Sequence, residues 1–213
     1  MEVLKLAEAG VAAAARRAAA TLREGGVILY PTDTLYGLGS DALSDEAVAK
    51  VYKIKKRDDQ KPIHCIVADQ AVAEKYAVFE GLPLVLARSL WPGALTLILK
   101  KKEGIETGVA RGLSTIGIRI PDHPLCLAMA KEFGGLITTT SANISGKPCE
   151  RSVEKILAQL GDTAKDIDLI IDAGELPERL PSAVVDVSGT EAVVLREGAI
   201  KDDDIWRALR FES

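Results

Sequence analysis

Polar side chains gather at four places in this sequence, each at the end of an apolar run, in combinations that could hold an anionic ligand. In Tyr30-Pro-Thr-Asp-Thr-Leu-Tyr-Gly-Leu-Gly-Ser-Asp-Ala42, Thr32, Asp33 and Thr34 set two hydroxyls around a carboxylate, directly after the apolar Val27-Ile-Leu29. Hydroxyls donate and accept, and Gly37 and Gly39 would let backbone approach a ligand closely. The same residues could instead cap a loop tightened by glycine. Lys53-Ile-Lys-Lys-Arg-Asp-Asp-Gln-Lys-Pro62 packs five cations into nine residues at the end of an expected helix. Such a run either solvates a helix C-terminus or clamps a polyphosphate, with lysine as a compact charge and arginine as a planar fork. As solvated groups, Lys55 and Arg57 are expected to be removable without unfolding the chain.

The third cluster is Ser114-Thr-Ile-Gly-Ile-Arg-Ile-Pro-Asp-His-Pro124, where Arg119 interrupts an apolar strand. Its desolvation demands a carboxylate or phosphate partner, either internal or brought by a ligand. The fourth, Thr138-Thr-Thr-Ser-Ala-Asn-Ile-Ser-Gly-Lys-Pro148, offers Ser141 and Asn143 as turn caps or as contacts to ribose, phosphate or a base edge. Leu90-Trp-Pro-Gly-Ala-Leu95 reads as a packed turn. Of the two histidines, His123 reads as a turn or capping residue and His64, inside an apolar strand, as core, which leaves a histidine-based triad unsupported. GxxxxGK[ST], GxGxxG and GxSxG are all absent. Cys65, Cys126 and Cys149 lack metal-site or paired spacing, so no metal ligand is assigned.

The elements that must position these clusters alternate in period. Helices are expected over 7–24, 45–55, 70–78, 82–89, 124–133, 152–160 and 203–210. Short apolar strands are expected over 27–30, 63–67, 95–99, 115–120, 136–140, 169–171, 183–187 and 192–195. This is an α/β pattern in which several late strands follow one another directly, so a twisted mixed sheet with flanking helices is expected, as one domain over 1–213. A hydrophobic share of 47% supports a sizeable core. The net charge of −4 confines any nucleic-acid contact to a local basic groove. No window reaches the roughly 20 apolar residues of a membrane span, and the cytoplasm is the expected address.

Taken together, Gly25-Gly-Val-Ile-Leu-Tyr-Pro-Thr-Asp-Thr-Leu-Tyr-Gly-Leu-Gly39, Lys55-Lys-Arg57 with Lys61-Pro62, Leu90-Trp-Pro-Gly93, Arg119-Ile-Pro121, Ser141-Ala-Asn143 and Leu195-Arg-Glu-Gly198 resemble the YrdC-like threonylcarbamoyl-adenylate synthases in order, over roughly residues 10–200. The resemblance implies a concave, basic ligand-binding face for ATP, L-threonine and bicarbonate, with magnesium carried on the ATP. It implies threonylcarbamoyl-AMP and pyrophosphate as products, the former passed to downstream threonylcarbamoyl transferase proteins that modify tRNA. Carried over residue by residue, it assigns Thr32, Arg119, Thr139 and Ser182 to threonine, and Lys55, Arg57, Lys61, Ser141, Asn143 and Arg196 to ATP. Asp33 and Thr34 would shape the loop, and no general base is assigned. Pro181-Ser-Ala183 departs from the pattern, with alanine where many members carry threonine. A paralogue branch uses the same groove to bind nucleotides or double-stranded RNA without turnover, and steep loss of RNA affinity with salt would mark it.

Overall fold

The computed structural model describes residues 1–210. The strands are β1 (Glu2–Lys5), β2 (Ile28–Pro31), β3 (Tyr36–Gly39), β4 (His64–Ile66), β5 (Leu95–Lys100), β6 (Thr115–Arg119), β7 (Ile137–Ser141), β8 (Leu169–Asp172), β9 (Ala183–Asp186) and β10 (Val193–Arg196). The helices are α1 (Leu6–Ala9), α2 (Val11–Arg23), α3 (Asp45–Lys55), α4 (Gln70–Ala73), α5 (Leu82–Leu90), α6 (Pro124–Phe133), α7 (Val153–Leu160) and α8 (Asp202–Arg210). All ten strands form one mixed sheet in the order β1-β8-β2-β3-β7-β4-β6-β5-β9-β10.

The central strands are apolar on both faces because both faces are covered. Ile28 and Tyr30 point into a core shared with α2 and α6, where Ala14, Ala15, Ala18 and Met129 are buried. Leu29 and Ile170 point into the opposite core, against Val51 and Ile54 of α3, Leu86 of α5 and Ile156 of α7. The alanines of α2 have no side-chain entropy to lose and allow close packing on α6. Each fully buried leucine or isoleucine contributes about 1.5–3 kcal/mol by leaving water.

Local signals set the helix ends. The Ser44 hydroxyl accepts from Ala47 N, Asp45 and Glu46 occupy the first turn of α3, and Lys56 turns left-handed at its end (φ 49°). Pro124 opens α6 and Gly134 closes it in the left-handed region.

Four expectations need correction. The helix expected over 7–24 is broken at Gly10, which separates α1 from α2. The helix expected over 70–78 ends at Ala73, because Ala77 bridges Lys101 and Val78 N donates to Lys100 O at 2.9 Å, drawing the chain to the sheet. β1 was not expected, and it adds in parallel to β8. Tyr36–Gly39, read as loop, is a strand antiparallel to β2, with Pro31 opposite Tyr36. The room above Gly39 is taken up by protein, since a Cβ there would meet the Tyr30 ring at 2.9 Å.

Candidate active site

A groove of about 840 Å³, counting its open mouth, lies where the ends of β2, β6, β7 and β10 meet the starts of β3, β4, β5 and β9. Thr32, Arg57, Arg119, Thr139, Ser141, Ser182 and Arg196 all line it, joined by Thr34, Tyr36, His64, Thr96, Thr140 and Cys149. None of the lining residues is a carboxylate, so three arginines make the groove locally basic in a chain of net charge −4.

Thr32 sits in the four-residue connection between β2 and β3. Its hydroxyl donates to Leu35 O at 2.7 Å and accepts from Thr34 N and Leu35 N, both at 3.1 Å. The hydroxyl therefore holds the turn together and orients Asp33 and Thr34. Asp33 in turn meets Arg119, which is only 4% exposed. Arg119 Nη2 donates to both Asp33 oxygens at 2.6 Å, Nε to Gly93 O at 2.8 Å and Nη1 to the Thr34 hydroxyl at 3.2 Å. Of the two partners open to Arg119 in the sequence, the internal carboxylate is present. Guanidinium carries five N–H donors, so one on Nη1 remains for a ligand. The Leu90-Trp-Pro-Gly turn thus anchors this arginine through Gly93, while the Trp91 indole donates to Leu95 O at 2.8 Å.

Lys55 corrects the expectation of a solvated cation. It is 1% exposed, and its ammonium donates to Ser141 O and, at 2.9 Å each, to the carbonyl and side-chain oxygens of Asn143. Burial, reinforced by Arg57, pushes its pKa down to about 8. Lys55 and Asn143 do not line the groove; they fix the Ser141–Asn143 loop that does. The Ser141 hydroxyl donates to Asn143 Oδ1 at 2.7 Å. Lys61 is exposed and stands outside the groove, and its carbonyl accepts from Arg57 Nε at 3.0 Å. Arg57 Nη2 also donates to Pro62 O at 3.0 Å, so Arg57 closes the 57–62 loop against the groove rim.

On the far wall, Arg196 Nη2 donates to Ser182 O at 2.8 Å and to the Ser182 hydroxyl at 3.2 Å, and that hydroxyl lies 3.0 Å from the Thr96 hydroxyl. Thr139 accepts from the buried Tyr30 hydroxyl at 3.1 Å, which leaves its own hydrogen for the groove. Arg179 Nη1 donates to Asp33 O at 2.6 Å, latching the segment before β9 across the threonine-rich turn.

His64 was read as core, and the structure places it on the groove wall. Its apolar neighbours gave no sign of which face it takes, because β4 is covered on both sides. The ring fits because Gly117 on β6 has no side chain: a Cβ there would meet His64 Cδ2 at 2.5 Å. Gly117→Ala is expected to displace the ring and to destabilise the chain by about 1–3 kcal/mol, as overpacking does. A urea melt of the variant tests this, and an unchanged midpoint would mean that the ring moves freely.

The twisted mixed α/β sheet with its groove is that of a ligand-binding enzyme domain, and comparisons with known proteins give its kind. A profile of the Sua5/YciO/YrdC family, described as "Telomere recombination", matches residues 20–198, and the chain belongs to that family. A Methanocaldococcus jannaschii protein, provisionally named a threonylcarbamoyl-AMP synthase, is 40% identical over 83% of this chain and 81% of its own length. The threonylcarbamoyl-AMP synthase of Bacillus subtilis is 38% identical over 89% of this chain, which spans only 54% of that relative. The crystal structure of Pyrococcus abyssi Sua5 complexed with L-threonine superposes with a TM-score of 0.82 at 33% identity, covering 92% of this chain and 57% of that one. No helix among the described residues is long and apolar enough to cross a membrane.

Proposed function

We propose that this chain is an L-threonylcarbamoyladenylate synthase, making threonylcarbamoyl-AMP and pyrophosphate from L-threonine, bicarbonate and ATP. The observation that carries the reading is the groove itself: three arginines and a row of hydroxyls, with no lining carboxylate, in a chain of this family. Threonine and bicarbonate condense to the N-carboxylated amino acid with loss of water. A carboxylate oxygen of that carbamate attacks the α-phosphorus of ATP, the bond to the β-phosphate oxygen breaks, and pyrophosphate leaves with the electron pair.

In this reading Arg57, Ser141 and Arg196 contact the nucleotide, and Lys61 reaches in when the rim closes on phosphate. Lys55 and Asn143 act through the loop they hold. Arg119 offers its remaining N–H to the threonine carboxylate, while Thr32, Thr139 and Ser182 shape the amino-acid end. Such groups act by positioning and by offsetting charge that builds on the transferring phosphorus, about 3–4 kcal/mol per well-placed donor. Magnesium is assigned to the ATP phosphates, whose oxygens suit a hard cation, because the one acid nearest the groove, Asp33, is engaged by Arg119. A cytoplasmic setting, release of the adenylate to downstream threonylcarbamoyl transferase proteins and a tRNA or double-stranded RNA contact complete the reading.

Pyrophosphate release from ATP and magnesium is expected only when threonine and bicarbonate are both present. Equal release with other amino acids, or without bicarbonate, would overturn the assignment. RNA affinity with no turnover would place the chain with binding paralogues.

A further inference from the structure

His64 is a groove residue that no role above absorbs. It lies on β4 beside Thr139 of β7, its register partner, and over Gly117 of β6, whose missing side chain makes the space for the ring. His64 is half-buried on the groove wall, and neither ring nitrogen has a hydrogen-bond partner among the described residues. Around it stand Arg57 from the 57–62 loop, Arg119 from β6 and Arg196 from β10. The other titratable groups on the wall are the Cys149 thiol and Tyr36 of β3, whose hydroxyl is turned to Gly174 O at 2.8 Å. Thr96, Ser141 and Ser182 are neutral, and the Asp33 carboxylate behind the threonine-rich turn is paired with Arg119. With Arg119 paired to Asp33, the imidazole faces two uncompensated cations, Arg57 and Arg196, so a proton on it is stabilised when an anion enters.

We propose that His64 takes up a proton when the ATP phosphates enter the groove between Arg57 and Arg196, and then donates a hydrogen bond to the bound nucleotide. The empty site keeps the ring neutral: burial first, then Arg196 and Arg57, hold its pKa at about 4. Phosphate charge reverses the sign of the local field, and its attraction for a ring proton opposes the burial that excluded one. His64 thereby adds positive charge only when phosphate is present, and the empty groove is spared a further unpaired cation. By linkage, nucleotide affinity rises as pH falls through the raised value, about tenfold for each unit by which binding raises it.

This inference rests on the groove being a nucleotide site, and the two can fail separately. The full chain has only His64 and His123, so spectra of the Cε1–H groups hold two histidine signals, and His64→Asn or His123→Asn assigns them. Spectra are titrated from pH 4.5 to 8 with and without saturating ATP and magnesium, in the absence of threonine. In the free protein the His64 signal is expected to be neutral above about pH 5 and to begin to shift only towards pH 4.5, and with ATP to titrate at least one pH unit higher. Calorimetry in buffers of different ionisation heat is expected to show proton uptake in the wild type beyond that in His64→Asn, a difference that removes the nucleotide's own ionisation. ATP binding with an unmoved His64 signal, or with equal proton uptake in both proteins, overturns the inference and leaves the nucleotide site standing. Absence of ATP binding overturns both. If His64→Asn does not fold, the wild-type titration assigned through His123→Asn decides alone.

Discussion

Lys55→Met is expected to lower the stability of the chain by about 3 kcal/mol, or roughly 6–12 °C in melting temperature, although Lys55 does not itself line the groove. Methionine fills a similar volume, so the loss is that of donors and not of packing. Three oxygens, Ser141 O, Asn143 O and Asn143 Oδ1, accept from the one ammonium. Without it Asn143 O is left desolvated and without a donor, while Ser141 O and Asn143 Oδ1 keep only Asn143 N at 3.0 Å and the Ser141 hydroxyl at 2.7 Å. ATP affinity should fall as well, because the Ser141–Asn143 loop loses its anchor. Arg57→Ala, by contrast, removes only hydrogen bonds at an exposed rim and is expected to weaken ATP binding with little change in melting. The sign with pH is specific. The Lys55 ammonium gives up its proton near pH 8 when folded but near 10.5 when unfolded, so between those values the unfolded chain binds more protons. Wild-type stability relative to Lys55→Met should therefore increase as pH rises from about 8 towards 10.5. Urea melts of both proteins at pH 7.5 and 9.5 measure it; coincident melts at both would show that the loop satisfies itself without Lys55.

The second large effect is expected at Arg119. Its guanidinium and the Asp33 carboxylate are 5% and 11% exposed, a nearly buried pair, and each leaves the other uncompensated if removed. Arg119→Lys keeps one charge but cannot reach both Asp33 oxygens, Gly93 O and Thr34 at once. We expect stability to fall by about 2 kcal/mol. Threonine recognition should weaken by about 1–3 kcal/mol, roughly 5–150-fold, with ATP affinity nearly unchanged. Asp33→Asn is the companion, because it disturbs the pair while leaving the spare Nη1 donor in place. Should both variants lose threonine equally, Arg119 acts by holding the turn; loss confined to Arg119→Lys marks direct contact. An Arg119→Lys protein with wild-type threonine dependence would remove this arginine from the amino-acid end altogether.

Particular residues explain why some of this was legible in the sequence and some was not. The ends of α3 and α6 were readable because a capping serine, first-turn acids, Pro124 and Gly134 are local signals. Arg119 was visible as a candidate because a charged residue in an apolar strand needs a partner, and Ser141 because a strand there runs into a loop rich in hydroxyls. The partner itself, Asp33, is 86 residues distant in sequence, and nothing local announced it. β3 was hidden by its two glycines, which are rare in strands, and β1 because Glu2-Val-Leu-Lys5 holds only two apolar residues between charges. His64 and Lys55 failed for the same reason with opposite outcomes. Where a strand is covered on both faces, or a helix end is packed under a loop, side-chain type alone does not say which side faces water. The histidine taken for core lines the groove, and the lysine taken for surface is sealed beneath it.

The strand order also bears on how the chain is made. β2 lies between β3 and β8, and β1 pairs with β8 alone, so Ile28, Leu29 and Tyr30 stay open along one edge until residues 169–172 have emerged. The groove is later still, since Ser182 and Arg196 complete its wall. At roughly 5–20 residues per second, about ten to thirty seconds separate β2 from β10 on the ribosome. A ligand can stabilise only a site that exists, so neither ATP nor threonine can shelter the nascent chain during that interval. Protection of its apolar strands falls to whatever binds unfolded polypeptide near the exit tunnel.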